Sequence, residues 1–556
     1  MREAIIDLIK YWHNRVKTRD DLAEAKREIS KKYKISSLLN SQILEVYREL
    51  KEKQQLPKGF NEDLWDNLLR KRSIRTLSGI APVAVLTKPY PCPGNCAYCP
   101  NEPGMPASYL PNEPAVMRAI KCGFDPYKQT ILRLNSLENN GHQPNKIEII
   151  VIGGTWSYLP DKYKYWYILN CFRAANDFKK IRKNKSIGSY LESEGKSKLK
   201  ILKSVISQIK SPYSKSLSLA ELKIALTKEQ KKNETAEYKI IGITLETRPD
   251  YINEKELRQM RELGCTRVEI GVQAPDDAIL KLNNRGHGVA EIVRATKELR
   301  DFGFKITYHI MPALPGSNPA KDLEMYKMLF TDSRFQPDQI KFYPTVVTQG
   351  SLLCKWWQAG KYQPYTDEEL QNLIIKCKNF TPKYVRIIRL IRDIPAESIL
   401  AGNKITNLRQ IMQQQGVKCN CIRCRESKET AYVKDFKINI QKYAAGGGAE
   451  YFISADSPDD KTLYGFCRLR LSINSLIAPA IIRELHVYGE LVPVGGHKKT
   501  QHQGLGKILL QTAEQITEEA GIKKMAIISG VGVRDYYRKT DYRLKDSYMV
   551  KILTKL

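Results

Sequence analysis

A repeated alternation of short apolar runs and amphipathic stretches over residues 76–395 restricts the fold of this 556-residue chain more than any other feature. Strands are predicted at 146–152, 240–245, 267–272, 305–310 and 339–343, with helices at 253–263 and 289–302 between them. Gly264 and Gly303 follow these two helices, at the position where glycine commonly ends a helix. Repeated strand–helix units imply parallel strands, so the sequence predicts an α/β fold, either a barrel or an open sheet.

Four other regions flank or interrupt this repeat. Residues 1–75 predict basic helices that form either a solvated surface or an RNA-binding arm. Residues 178–230 are rich in Lys and Ser and predict a basic surface insertion, and 396–440 predict a linker containing cysteines. Glycines 446–448 are interpreted as the opening of a second α/β domain, assigned to 441–556.

The charge balance favours a polyanionic partner, because 91 Lys and Arg stand against 60 Asp and Glu, a formal net charge of +31. A basic protein without a nucleic-acid role is the alternative, since the charge is spread along the chain. No apolar run long enough for a transmembrane helix occurs, and the N-terminus lacks the apolar core of a signal peptide. The protein is therefore expected in the cytoplasm, away from membranes.

Six of the 12 cysteines fall into two tight clusters, which suits metal binding better than disulfides. Cys92, Cys96 and Cys99 form the first cluster, spaced Cys-x3-Cys-x2-Cys. Three thiolates can hold three irons of a 4Fe–4S cluster, which leaves the fourth iron open to a small molecule. Structural zinc is the rival interpretation, but it needs four ligands and no fourth is near.

The spacing, with Tyr98 before the last cysteine, resembles the radical S-adenosylmethionine superfamily. That resemblance implies a partial (βα) barrel. It also implies that the open iron binds S-adenosylmethionine, which yields a 5′-deoxyadenosyl radical. It assigns the methionine moiety to Gly153 and Gly154, followed here by Thr155 in place of the usual acidic residue. Polar residues expected at strand ends complete the predicted S-adenosylmethionine site, with structural roles as the alternative: Glu246, Arg248, Glu269 and Gln273, together with His309.

Near the C-terminus, Gln501, Gly504 and Gly506 precede a predicted helix. Glycines at a helix start let backbone N–H groups approach a pyrophosphate. The pattern resembles GNAT-type acetyltransferases, which implies an acetyl-CoA site formed by Glu484, Leu485, His486 and Val487, and by Leu505, Gly506 and Lys507. The same resemblance places Tyr536 and Tyr537 near the thioester as proton donors, with simple packing as the alternative.

The two domains in this order resemble the catalytic subunit of Elongator in its archaeal or bacterial single-chain form. The strings TKPYPCPGNCAYCPNEPGMPASYLPNEPAVMRA, RELHVYGELVPVG and GVGVRDYYRK carry the resemblance. It implies acetyltransferase chemistry at tRNA uridine-34 leading to 5-carboxymethyluridine, with Lys146 and Tyr537 also contacting acetyl-CoA. The implied partners are the tRNA anticodon loop, an electron donor, and either a second copy or accessory subunits.

Two features remain outside these motifs. Cys419, Cys421 and Cys424 predict a structural zinc site in the linker, with a second iron–sulfur cluster or free thiols as alternatives. Arg386, Arg389 and Arg392 recur every three residues and are predicted to bind tRNA. If helical they form one stripe, which Lys383 and Arg409 would extend; if extended they point to different faces.

Two other functions stay open from the sequence alone. The first is a protein lysine acetyltransferase in which the iron–sulfur cluster is only structural. The second is a non-enzymatic tRNA-binding scaffold with decayed cofactor sites, although both the first cysteine cluster and the Gln501 turn are intact.

Overall fold

A computed structural model of the chain describes residues 1–70, 79–183, 216–427, 435–488 and 504–553. Most of the predicted basic insertion and Gln501 lie outside these residues. Within them, no helix has both the length and the apolar character needed to cross a bilayer.

The N-terminal region is helical, as the sequence predicts. Its four helices are α1 Arg2–Trp12, α2 Arg19–Lys32, α3 Asn40–Glu52 and α4 Glu62–Leu69. Thr18 and Asp21 form a reciprocal capping box that starts α2. The apolar faces of the helices enclose a separate small core around Trp65. The bundle therefore packs its own interior and presents its basic side chains outward.

The central domain is a sheet of seven parallel strands curled into a half-barrel. In sheet order its strands are β1 Ala81–Leu86, β2 Lys146–Ile152, β3 Lys239–Thr247, β4 Arg267–Gln273, β5 Lys305–Ile310, β6 Gln339–Phe342 and β8 Arg386–Arg389. The helices are α5 Pro114–Lys121, α6 Pro126–Asn139, α7 Asp161–Lys183, α8 Leu219–Asn233, α9 Glu254–Glu262, α10 Asp277–Leu282, α11 Val289–Asp301, α12 Pro319–Thr331, α13 Leu352–Gln358 and α14 Asp367–Phe380.

The predicted strands all exist, and the expected fold class, an α/β fold with a partial barrel, is confirmed. Gly264 and Gly303 follow α9 and α11 with φ of +88° and +81°, the left-handed conformation that ends a helix. The capping glycines thus end the two helices where the sequence indicates.

In the linker, β9 Ile399–Ala401 pairs with β7 Val347–Thr348 of the central domain, and α15 Leu408–Gln414 and α16 Ile422–Arg425 follow. The second sheet contains β10 Lys437–Ala445, β11 Gly448–Asp456, β12 Leu463–Leu471, β13 Ala480–Val487, β14 Lys524–Ile527, β15 Arg543–Lys545 and β16 Tyr548–Ile552, with helices α17 Leu505–Glu519 and α18 Arg534–Arg538.

The glycines at 446–448 do not open the second domain. They form the turn between β10 and β11, where Gly446 and Gly447 have positive φ, and β10 already belongs to the second sheet. A glycine pair flanked by two extended runs is a hairpin signal, because positive φ suits the tight turn.

The second sheet packs against the amino ends of the barrel strands. Gly530 lies so close to β3 that an added Cβ would be 1.9 Å from the carbonyl oxygen of Ile241. Lys305, the first residue of β5, forms an ion pair of 3.3 Å with Glu484 of β13. This docking brings the predicted acetyl-CoA strand to the end of the barrel opposite the cysteine loop.

Candidate active site

One cavity of about 1140 Å³ runs through the half-barrel and is lined by residues of both domains. Cys92, Cys96 and Cys99 lie on its wall, and Glu484 and His486 of the second sheet line it as well. The cysteine loop stands at the carboxyl ends of the strands, and β13 stands at their amino ends. A single cavity therefore connects the two predicted cofactor sites.

The cysteine loop is held by backbone hydrogen bonds on both sides. The N–H of Ala97 donates to the carbonyl of Asn283 at 3.0 Å, and the N–H of Leu353 donates to the carbonyl of Ala97 at 2.7 Å. Burial raises the pKa of the Cys99 thiol to about 12, so it stays protonated unless a metal displaces the proton. Three cysteines on one fixed loop fit three ligands of a 4Fe–4S cluster.

The predicted S-adenosylmethionine residues largely share this cavity. Its wall includes Gly154, Thr155, Glu246, Arg248 and Gln273 at the carboxyl ends of their strands. The Arg248 guanidinium pairs with Asp250 at 3.0 Å, while its Nη1 has no hydrogen-bond partner among the described residues.

Two of these residues, Gly153 and Glu269, do not lie where the sequence led us to expect them. Gly153 does not line the cavity; it packs on Thr87, whose Oγ1 would be 2.3 Å from an added Cβ. Glu269 does line the cavity, but the expectation that it lies at a strand end is wrong, because it is the third residue of β4. Its side chain points into the middle of the barrel, since the odd positions of β4 face inward.

The second domain shows the turn expected for a pyrophosphate. Gly504 has φ of +81° and starts α17, whose first residues are Leu505, Gly506 and Lys507. The Tyr536 Oη lies 2.8 Å from an added Cβ on Gly506, so this tyrosine borders the turn. Tyr537 is buried in the core of the second sheet, with 6% of its surface exposed.

The strand pair β13–β14 separates beside this turn. Its parallel ladder covers only Ala480 to Ile482, whereas β12 pairs with β13 as far as Val487. Among the described residues, no ladder reaches the other edge of 484–486, so the backbone groups of this segment can bind an extended ligand. Lys146 begins β2 at the same end of the barrel, and burial lowers the pKa of its ammonium group.

We expect the protein to be less stable at pH 5 than at pH 7 because of the buried side chain of His486. Burial lowers its pKa to about 4, so the unfolded chain binds the proton first as pH falls below about 6.5. Between pH 7 and pH 5 the free energy of unfolding should fall by about 2 kcal/mol through this group. Urea titrations of wild type and His486→Phe at both pH values measure the difference. An equal pH dependence in the two proteins would contradict this.

The three cysteines of the second cluster also lie close together in the structure. The sulfur atoms of Cys419, Cys421 and Cys424 all lie within 4.8 Å of one another, with α16 connecting two of them. The N–H of Ile422 donates to the carbonyl of Val385 at 2.9 Å, which ties the cluster to the barrel edge. Three convergent sulfurs fit a metal ion that takes its fourth ligand elsewhere.

The three predicted tRNA-binding arginines line the cavity but are not on a helix. Arg386 and Arg389 are the first and last residues of strand β8 and Arg392 follows it, so the helical-stripe alternative is wrong. Arg386 pairs with Glu426 at 2.6 Å and Arg392 with Glu113 at 2.9 Å. Arg389 pairs with the exposed Asp393.

Sequence reasoning missed several charged residues of the cavity wall. Lys341 forms a close ion pair with Glu269, Arg267 lies 3.2 Å from Glu148, and Arg285 donates to the Cys96 sulfur at 3.4 Å. Lys341 and Arg267 sit within runs predicted as buried strands. A charge inside such a run is itself a signal, because it must find a partner or face a cavity.

Comparison with known proteins agrees with this architecture. Residues 214–329 match the radical SAM superfamily and 337–416 match the radical SAM C-terminal domain. The chain is 41% identical to a tRNA uridine(34) acetyltransferase of Dehalococcoides mccartyi over 87% of this chain and 100% of that protein. It is 37% identical to Elongator complex protein 3 of Homo sapiens, covering 87% and 86%. The solved archaeal Methanocaldococcus infernus Elp3 with N-terminus deletion (1-46) is 36% identical, with a TM-score of 0.67, covering 86% and 100%.

Proposed function

Because this chain belongs to the family of tRNA uridine(34) acetyltransferases and Elongator complex protein 3, we propose that it places a carboxymethyl group on C5 of the tRNA wobble uridine. The observation that carries the proposal is the single cavity lined by both the cysteine loop and β13. A uridine base held inside this cavity could contact both the radical source and acetyl-CoA without leaving the protein.

The radical SAM match implies a 4Fe–4S cluster and S-adenosylmethionine. We assign the cluster to Cys92, Cys96 and Cys99, and S-adenosylmethionine to the wall formed by Gly154, Thr155, Glu246, Arg248 and Gln273, with Gly153 shaping the turn. When bound, these groups supply a 5′-deoxyadenosyl radical. The cavity wall would hold these groups in position between the two domains.

We assign acetyl-CoA to the second domain. Gly504 to Lys507 would bind the pyrophosphate, the backbone of 484–487 would bind the pantetheine chain, and Gln501 belongs to the same assignment. Tyr536 borders the turn and is the better-placed proton donor of the two tyrosines, whereas Tyr537 supports it from the core. Lys146 would contact the ligand from the barrel.

The linker cysteines Cys419, Cys421 and Cys424 are proposed to hold zinc, which would fix α16 against the edge of the barrel. Arg386, Arg389 and Arg392 are proposed to contact tRNA phosphates at the mouth of the cavity. Each already has a carboxylate partner, so phosphate binding would exchange one anion for another and weaken steeply with salt.

The decisive experiment is anaerobic incubation of reconstituted protein with tRNA, S-adenosylmethionine and acetyl-CoA, followed by nucleoside mass spectrometry. A carboxymethyl mass increase on uridine that requires every component supports the proposal. Acetyl-lysine on added peptides without any tRNA product would support a protein acetyltransferase instead.

We expect Gly506→Val to weaken acetyl-CoA binding more than about tenfold, roughly 1.4 kcal/mol. A side chain there would collide with Tyr536 and cover the backbone N–H groups that face the pyrophosphate. Isothermal titration calorimetry with acetyl-CoA measures the effect. Gly521→Asn, at the other end of the same helix, is the control and should bind normally. Unchanged affinity of the valine variant would refute the assignment.

A further inference from the structure

We propose that Glu269, with Arg267 and Lys341 beside it, forms the site that recognises the Watson–Crick edge of the uracil base. The inference rests on the proposed function and adds to it the residues that select the base. It also gives Glu269 a different role from the S-adenosylmethionine contact expected from the sequence.

The two oxygens of the Glu269 carboxylate have different surroundings. Its side chain has no exposed surface to solvent, and Oε2 accepts hydrogen bonds from His309 at 2.8 Å and from Lys341. Oε1 has no hydrogen-bond partner among the described residues, and the Arg267 guanidinium lies 3.7 Å away. A buried acceptor without a partner on the wall of a cavity is costly unless a ligand satisfies it.

The charge state of Glu269 is fixed by its neighbours. Although burial opposes ionisation, Lys341 and His309 hold the pKa of this carboxyl well below its ordinary value. It is therefore a carboxylate at neutral pH, and both oxygens can only accept. Glu246, Glu269 and His309 also converge in the manner of metal ligands, but the Lys341 ammonium already supplies the cation there.

Glu269 lies between the two cofactor sites along the barrel. Arg267, two residues or about 7 Å before it, is in register with Lys305, which pairs with Glu484 of the second domain. Gln273, four residues or about 13 Å beyond it, stands at the end of the strand near the cysteine loop. A base held at Glu269 would thus lie between the thioester and the radical source.

The chemistry of the site fits uracil rather than cytosine. The edge of uracil presents an acceptor, the N3–H donor and a second acceptor. A carboxylate with a guanidinium beside one oxygen and an ammonium beside the other presents the complementary order of donor, acceptor and donor. Cytosine has a lone pair at N3, which would face the carboxylate and leave it unsatisfied.

The test uses anticodon stem-loop RNAs that carry uridine, cytidine or 3-methyluridine at position 34. With wild-type protein we expect affinity for the 3-methyluridine RNA to be about tenfold lower than for the uridine RNA, because methylation removes the N3–H donor. This comparison requires no variant and no turnover. Equal affinities for the two RNAs would overturn the inference.

Glu269→Gln keeps the size of the side chain but turns an obligate acceptor into a group that can also donate. We expect product formation on uridine RNA to fall about 10- to 100-fold and the preference for uridine over cytidine in binding to shrink about tenfold. S-adenosylmethionine affinity, measured separately, should stay unchanged. A preference for uridine equal to that of the wild type, or a loss confined to S-adenosylmethionine binding, would contradict the assignment of Glu269 to base recognition.

Glu229→Gln is the matched control, since Glu229 is also buried and pairs with Arg173 at 2.8 Å but does not line the cavity. It should leave base preference intact. The outcomes also separate the two proposals. Wild-type protein that binds uridine RNA selectively but never modifies it would refute the proposed function alone, whereas modification without base-edge selectivity would refute only the role of Glu269.

Discussion

We expect Cys96→Ser to abolish uridine modification while leaving acetyl-CoA binding intact. A serine hydroxyl does not replace a thiolate as an iron ligand, and Cys96 also receives the Arg285 hydrogen bond that fixes the loop. Product formation should fall more than about a thousandfold, equivalent to over about 4 kcal/mol of transition-state stabilisation. Nucleoside mass spectrometry measures the loss, and the absorbance of the reconstituted cluster reports its cause.

Cys122→Ala is the control for this variant, because Cys122 is buried at the end of α5 and does not line the cavity. It should retain the cluster and most activity. Cys96→Ser protein that still transfers acetyl groups to lysine at the wild-type rate would favour the protein acetyltransferase interpretation. Normal tRNA product from Cys96→Ser protein would rule out the proposed role of the loop.

The half-barrel was predictable because its signals are local. The run KIEIIVI coincides with β2, and the glycines after α9 and α11 stand where the helices end. Strand period, helix period and capping chemistry each act within a few residues, so the sequence displays them directly. The cysteine spacing is also local, and the structure places all three residues on one cavity wall.

The centre of the cavity was not predictable in the same way. Glu269, His309 and Lys341 come from three strands, and only the register of the curled sheet brings them together. The arginines near 390 illustrate the same limit, since their spacing of three suits a helix while their β-branched neighbours suit a strand. Packing against β6 decides between the two, and packing is not visible in a short window.

The docking of the domains likewise depends on contacts between distant parts of the chain. Arg468 and Arg470 alternate with Cys467 and Leu469 on β12, so both guanidinium groups face the barrel while the apolar partners face the core of the second domain. Arg470 pairs with Asp301 at 2.6 Å. The sequence shows the alternation but not which surface the arginines meet.

Asp338→Asn should therefore be among the most destabilising single substitutions in the chain. Asp338 is fully buried and accepts two hydrogen bonds from Arg483, at 2.6 and 2.7 Å, across the domain interface. Removing its charge leaves the buried Arg483 guanidinium beside a neutral amide and with Glu450 as its carboxylate partner. We expect the free energy of unfolding to fall by about 3–5 kcal/mol, measured by urea titration.

The Asp338→Asn substitution should also separate the cleavage of S-adenosylmethionine from the modification of tRNA. If Asp338 holds the two domains in position, the Asp338→Asn protein should still cleave S-adenosylmethionine. It should form no modified tRNA, because the thioester no longer lies at the end of the cavity. Asp393→Asn removes the same charge from an exposed pair with Arg389 and should change stability by less than about 1 kcal/mol. Equal stability losses in the two variants would mean that the burial of the Asp338 pair contributes nothing to the stability of the protein.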